Sequence, residues 1–297
     1  MTFDDLILHS KSRAQLSNYL NYPTHALLLT GKVGVGLKTI AGALAREIAG
    51  SNVAIIEPTL HDRQKTANIN VDDIRSLHET TRAMRRDNLA IIIDDIDKMT
   101  NDAPQTFLKL LEEPTPGVMY ILTTHSMAKL PATIRSRTQI VEILPPPRNL
   151  TNAVIASAAK QSSDTGSPRR FAPRDDDALG AKRAQIDFLG NQCPAEIVRL
   201  LNDEEYFRAA ATSMEIAKKF VQGDVEQRLQ ITTKITTRES AIELMENIAR
   251  LLMLTIAKSK NPKNAAENLT TIATTIDNLA QNGNVRAQLT NLALNIS

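Results

Sequence analysis

A parallel α/β sheet flanked by helices, followed by a mostly helical remainder, is the architecture expected of these 297 residues. Three features argue for it. Apolar runs of strand length alternate with amphipathic helical patterns as far as Ile143, a Gly-rich turn joins the first run to the first helix, and from Ala178 onward the periodicity is helical. The first strand is set by Ala26-Leu-Leu-Leu29, which leads into Gly31-Lys-Val-Gly-Val-Gly36 and then Ile40 to Ile48 with helical spacing. Val53-Ala-Ile-Ile56 supplies the second strand. Val71-Asp-Asp-Ile-Arg-Ser-Leu77 opens another helix, with acidic residues in its first turn where the helix dipole favours them. Leu89-Ala-Ile-Ile-Ile93 is a continuous apolar run of the kind found in parallel strands covered on both faces, and it ends at Asp94-Asp95. A helix from Ala103 to Leu111 and strands at Val118–Leu122 and Ile140–Ile143 complete the doubly wound pattern, whose ligands bind at the carboxyl ends of the strands.

Pro145-Pro146-Pro147 is a stiff break and marks a boundary, giving three expected units: 1–146, 147–204 and 205–297. Residues 157–177 are rich in Ser, Pro and charge and read as a disordered insertion. Arg169, Arg170 and Arg174 in it are balanced by Asp175, Asp176 and Asp177. Beyond it, helical runs frame a Gly190–Pro194 turn, and the remainder, such as Ile242 to Met253, reads as a helical bundle.

Composition narrows the function. Hydrophobic residues make up 42% and charged residues 23%, enough apolar content for a packed core. Lys and Arg total 35 against 33 acidic residues, a net charge of +2, so the chain has no global excess to hold a polyanion and nucleic-acid contact must be local or shared. With 3% aromatics and no Trp, a base-stacking platform is disfavoured. The lone Cys193 excludes an internal disulfide and a Cys-rich zinc site and is expected as a buried thiol. No run approaches the ~18 apolar residues of a membrane span, and a cytoplasmic location is expected, with no membrane partner.

The chemistry-bearing motif is the Gly-rich turn. A working phosphate loop, G-x-x-x-x-G-K-[ST], cradles phosphates with backbone N–H groups, neutralises them with Lys and holds Mg²⁺ by the hydroxyl. Gly31, Gly34 and Gly36 are in place, but Leu37 stands at the Lys position and Lys38 at the hydroxyl position. Either an extra residue makes Lys38-Thr39 the working pair, or the site is broken. The broken reading is preferred, because an insertion would displace the N–H groups as well. Asp94-Asp95 matches the second nucleotide motif, where one carboxylate organises Mg²⁺ and the next, ordinarily Glu, activates water. Asp95 is shorter by a methylene.

Ile91 to Thr100, Phe107-Leu-Lys-Leu-Leu-Glu-Glu-Pro114, Tyr120 to His125 and Leu130-Pro-Ala-Thr-Ile-Arg-Ser-Arg-Thr138 together resemble the clamp-loader subunits of bacterial DNA polymerase III, of the AAA+ class. Val71-Asp-Asp-Ile-Arg75 and Asn282 to Leu292 add to the likeness, which covers the chain outside 157–177. The resemblance implies an AAA+ domain, a small helical lid and a C-terminal helical collar. It puts Thr123 or Thr124 at the first sensor position, and it makes Arg137 of Ser136-Arg137-Thr138 an arginine finger acting in trans on a neighbour's ATP, with Arg135 the weaker candidate. The family's four-Cys zinc module has no counterpart between Ala49 and Asp73, so zinc is not expected. Glu196 stands where active members carry a phosphate-contacting Arg, with Arg199 one turn along.

Leu37, Asp95 and Glu196 together imply a subunit without its own ATPase, with no cofactor expected and ATP/Mg²⁺ only if the loop works. The alternative is an active motor subunit using Lys38 and Thr39. Implied partners are the other clamp-loader subunits, the sliding clamp and primer-template DNA through the assembled complex. Lys65, Arg75, Arg82, Arg85 and Arg86 are the candidate DNA-facing cations.

Overall fold

The structure, a computed structural model, describes residues 2–60, 67–83, 88–147, 150, 176–256, 262–280 and 283–296. They form two compact units, Met1–Asn202 and Asp203–Ser297.

The first unit is built on five strands: β1 (Ala26–Gly31), β2 (Val53–Ile56), β3 (Leu89–Ile93), β4 (Val118–Thr124) and β5 (Gln139–Ile143). Their order is β2-β3-β4-β1-β5 and every pairing is parallel. Leu-rich and β-branched runs suit the central positions: β3 is buried at every residue, as its unbroken apolar run requires. Alternate side chains feed opposite faces. Leu27, Leu29, Ile92 and Ile121 pack with α1 (Ser10–Asn21) and α2 (Leu37–Ala49). Leu28, Ile91, Ile93 and Tyr120 pack with α3 (Val71–Ala83), α4 (Ala103–Glu112) and α5 (Ala132–Arg135). Helices on both faces bury the central strands β1, β3 and β4, whose carboxyl ends stand at one edge of the sheet.

Local signals explain the helix boundaries. Asn70 and Asp73 form a reciprocal capping pair at the start of α3: Asp73 N donates to Asn70 Oδ1 (2.9 Å) and Asn70 N to Asp73 Oδ2 (2.8 Å). α1 is absent from the sequence reading because its inward face carries only Ser12, Leu16 and Tyr19, a weak apolar stripe. Ser12 compensates with polar ties, donating to Glu142 O (3.2 Å) and accepting from Leu144 N (2.9 Å).

The first unit ends in α6 (Asp176–Gly190) and α7 (Pro194–Asn202). Asp176 and Asp177, expected within the disordered insertion, instead belong to α6, since two acidic residues favour a helix start as readily as a solvated loop. The rest of 157–177 lies outside the described residues. Asn191 and Gln192, both in the left-handed region (φ 47° and 62°), make the sharp turn into α7, whose first residue is Pro194. Cys193 in this turn is buried and forms no disulfide, as its lone occurrence predicts.

The second unit is a bundle of α8 (Glu204–Gln222), α9 (Val225–Thr233), α10 (Arg238–Ile256), α11 (Pro262–Ala280) and α12 (Val285–Asn295) around Phe220, Met245, Ile248, Ile272, Leu289 and Leu292. Asp203, Asp224 and Asn284 cap α8, α9 and α12 by accepting backbone N–H bonds of 2.8–3.0 Å. Among the described residues no helix is long and apolar enough to cross a membrane.

Candidate functional site

The carboxyl ends of β1, β3 and β4 converge, and the residues that follow them meet outside the sheet edge, where open α/β sheets place their ligands. After β1 the chain turns through Gly34 (φ 81°) and Gly36 (φ 91°), conformations that favour glycine. Gly36 is the N-cap of α2, so Leu37 is its first residue. Val35 and Leu37 turn inward and are 5% and 2% exposed, within the core on the α1/α2 face. Leu37 Cδ2 lies 3.3 Å from where a Cβ on Gly31 would stand. The position that carries Lys in a working loop therefore holds a hydrocarbon chain packed into the sheet. Lys38 and Thr39 face solvent, and Lys38 Nζ lies 2.6 Å from Glu57 Oε1, just past the end of β2.

The end of β3 is tied to the end of β4. Thr123, fully buried, donates from Oγ1 to Asp94 Oδ1 (2.6 Å) and accepts from Asp95 N (2.9 Å). Thr124 donates to Asp97 Oδ1 (2.8 Å). Asp95, held at φ 48°, pairs with Lys98 Nζ (2.7 Å), and His125 Nε2 lies 3.8 Å from its other oxygen. His125 also reaches back through Nδ1 to Gly31 O (2.9 Å), which links β4 to the start of the Gly-rich loop. Motif residues that the sequence reading assigned to nucleotide chemistry thus bond one another. Thr123→Val keeps the shape but orphans Asp95 N and one Asp94 oxygen, and it is expected to cost about 1–3 kcal/mol, seen as a lower denaturation midpoint.

α7 closes the other side of the loop. Gly34 O accepts from both Ala195 N (3.0 Å) and Glu196 N (3.3 Å), two of the N–H groups left open at a helix start. A Cβ on Gly34 would stand 2.7 Å from Glu196 Cβ and 3.3 Å from Cys193 Cβ, and one on Gly36 would stand 3.8 Å from Ala195 Cβ. Glu196 is therefore brought to the Gly-rich loop itself. Arg199 lies further along α7 and is exposed.

Arg137 follows α5 and projects beside the end of α4. Its Nη2 lies 2.8 Å from Glu112 Oε1, and its Nη1 donates to Thr133 O (3.1 Å) and contacts Ser136 Oγ (3.4 Å). Of the candidate DNA-facing cations, Lys65, Arg85 and Arg86 lie outside the described residues, as does the side chain of Arg82. Arg75 is well exposed and pairs with Asp72 at 3.1 Å. Sequence reasoning passed over Glu57, Lys98, Glu112 and His125 as site members. The partners of Glu57, Glu112 and His125 lie on other elements, and no periodicity signals such pairs. Lys98 alone had a local cue, three residues after Asp95.

The family described as "DNA polymerase III, delta subunit" matches residues 50–147, the span from the end of α2 to just past β5. The DNA polymerase III subunit delta' of Haemophilus influenzae is 29% identical over 135 residues, covering 39% of this chain and 41% of that protein. Replication factor C small subunit 1 of Pyrobaculum arsenaticum is 26% identical over 172 residues, covering 54% of this chain and 49% of its own length. The chain thus spans about half the length of these curated relatives or less. Among solved structures, the RuvB Holliday junction branch migration motor of Thermotoga maritima shares the fold with a TM-score of 0.53 at 16% identity, over 74% of this chain and 78% of that one. The family match falls on the part of the chain that carries β3, β4 and α5, and over that part the chain is similar to clamp-loader subunits.

Proposed function

We propose that this chain is a structural and regulatory clamp-loader subunit of the delta-prime kind, one that does not hydrolyse ATP. In this reading it supplies Arg137 to nucleotide held by a neighbouring subunit and helps place the sliding clamp on primer-template DNA. The observation that carries the reading is Leu37: at the position where a phosphate-binding loop needs an ammonium, the side chain is apolar and buried in the core. Three further features support it. Lys38 is directed to Glu57, the carboxylates of Asp94 and Asp95 are engaged by Thr123 and Lys98, and the Gly34 carbonyl is covered by the start of α7. Leu37 offers no ammonium to the phosphates of a Mg²⁺-bound triphosphate, and the residue that α7 brings to the loop is a Glu.

Arg137 is suited to the role assigned to it. A planar, always-charged guanidinium can stabilise charge on a phosphoryl group in transfer, and this needs no nucleotide site in its own chain. The near-balanced charge fits a subunit whose DNA contact is shared around a ring rather than made alone.

Labelled ATP titrated onto the isolated full chain tests the reading. The expected result is no saturable binding up to about 1 mM, the regime of a few kcal/mol of affinity. Tight binding that disappears in Lys38→Ala would overturn it and establish Lys38 and Thr39 as the phosphate pair of an active motor subunit.

A further inference from the structure

We propose that Glu112 is the positioning residue for Arg137, fixing its guanidinium by charge in the pose from which it acts on a neighbour's nucleotide; this rests on the trans role of Arg137 given above. Glu112 is the last residue of α4, where its negative charge lies at the negative end of the helix dipole, an unfavourable place for a carboxylate. What it gains there is Arg137, whose Nη2 lies 2.8 Å from its Oε1. The other side of the fork is fixed from α5 and the residue after it, through Thr133 O at 3.1 Å and Ser136 Oγ at 3.4 Å. The guanidinium is thus gripped from two separate helices.

Donor counting leaves the fork free to work from that grip. A guanidinium has five N–H groups and these contacts use at most three of them, so donors remain for phosphoryl oxygens. Arg carries large rotamer freedom, and a fork fixed beforehand loses less of it when it engages its target. Exposure separates this role from a folding role. The two side chains are 37% and 50% exposed, and ion pairs open to solvent contribute little to stability. Removing the Glu112 charge is therefore expected to leave the fold intact and release the guanidinium.

The test uses three variants of the full chain: Glu112→Gln, Arg137→Ala and the double substitution, each assembled with its clamp-loader partners and assayed for DNA-stimulated ATP turnover. Glu112→Gln is expected to lower kcat about tenfold, as for a catalytic group displaced but still present, with KM for ATP little changed. It is expected to add nothing in the Arg137→Ala background. In ¹H–¹⁵N spectra of the isolated chain, the Arg137 Nε–H signal is expected to shift and broaden in Glu112→Gln while the amides of β1 and β3 stay in place. Wild-type turnover in Glu112→Gln beside an impaired Arg137→Ala overturns the positioning role alone. So does a Glu112→Gln loss that persists without Arg137, or an unmoved Arg137 signal. Unchanged turnover in Arg137→Ala overturns the trans role itself, and the positioning role with it.

Discussion

In the proposed trans role, Arg137→Ala is expected to slow phosphoryl transfer at the neighbouring site by about 10³-fold or more, the range that an arginine finger contributes in related systems. The size follows from the chemistry. Charge spreads over the oxygens of the transferring group, and a guanidinium aimed at it acts where water is excluded and the field is strong. Because that charge develops only in the transition state, the loss is expected in kcat, with little change in the affinity of the partner for ATP. Lysine is a poor substitute, since a compact ammonium cannot present two parallel N–H groups, so Arg137→Lys is expected to stay close to Arg137→Ala. The measurement is DNA-stimulated ATPase of the reconstituted complex, with gel filtration to establish that the variant assembles. Turnover equal to wild type in an assembled complex would remove Arg137 from catalysis.

The part of this architecture written locally in the chain is the sheet and its motifs. Leu89 to Ile93 could only be a covered strand, because an unbroken apolar run of five residues flanked by polar turns has no solvated face to offer. Leu37 announced itself as a departure by position alone, and its burial adds the reason that the departure is stable. α1 escaped because Ser12, Leu16 and Tyr19 form too sparse a stripe, and its docking relies on the Ser12 hydroxyl, whose partners lie at the far end of the sheet. The same holds for Lys38 with Glu57 and Arg137 with Glu112: each residue sits in an ordinary surface pattern, and only the topology brings the pair together. Glu196 shows the limit most clearly. Its identity suggested repulsion of phosphate, whereas its backbone N–H and Cβ against Gly34 could not be read from one dimension.

That contact yields the second large effect. Gly34→Ala is expected to lower the thermal midpoint of the first unit well below that of Gly36→Ala. Both glycines are left-handed, at φ 81° and 91°, so each alanine carries a backbone cost of about 1–2 kcal/mol. At Gly36 the new methyl meets nothing closer than Ala195 Cβ at 3.8 Å, an ordinary contact. At Gly34 it would stand 2.7 Å from Glu196 Cβ, an atom fixed to the backbone of α7 that cannot swing aside. The start of α7 must retreat, and the bonds from Ala195 N and Glu196 N to Gly34 O lengthen with it. Overpacking adds about 1–3 kcal/mol and each weakened bond about 0.5–1.5. A gap of about 2–6 kcal/mol corresponds to roughly 4–24 °C for a unit of this size. A phosphate-loop glycine retained only for the approach of an anion would give equal midpoints for the two alanine variants, and that result would remove α7 from the loop. Glu196→Gly in the Gly34→Ala background deletes the colliding Cβ while leaving the φ cost, and the midpoint is expected to climb back toward that of Gly36→Ala. Recovery of that kind identifies the missing side chain at Gly34 as a requirement of helix packing rather than of phosphate binding.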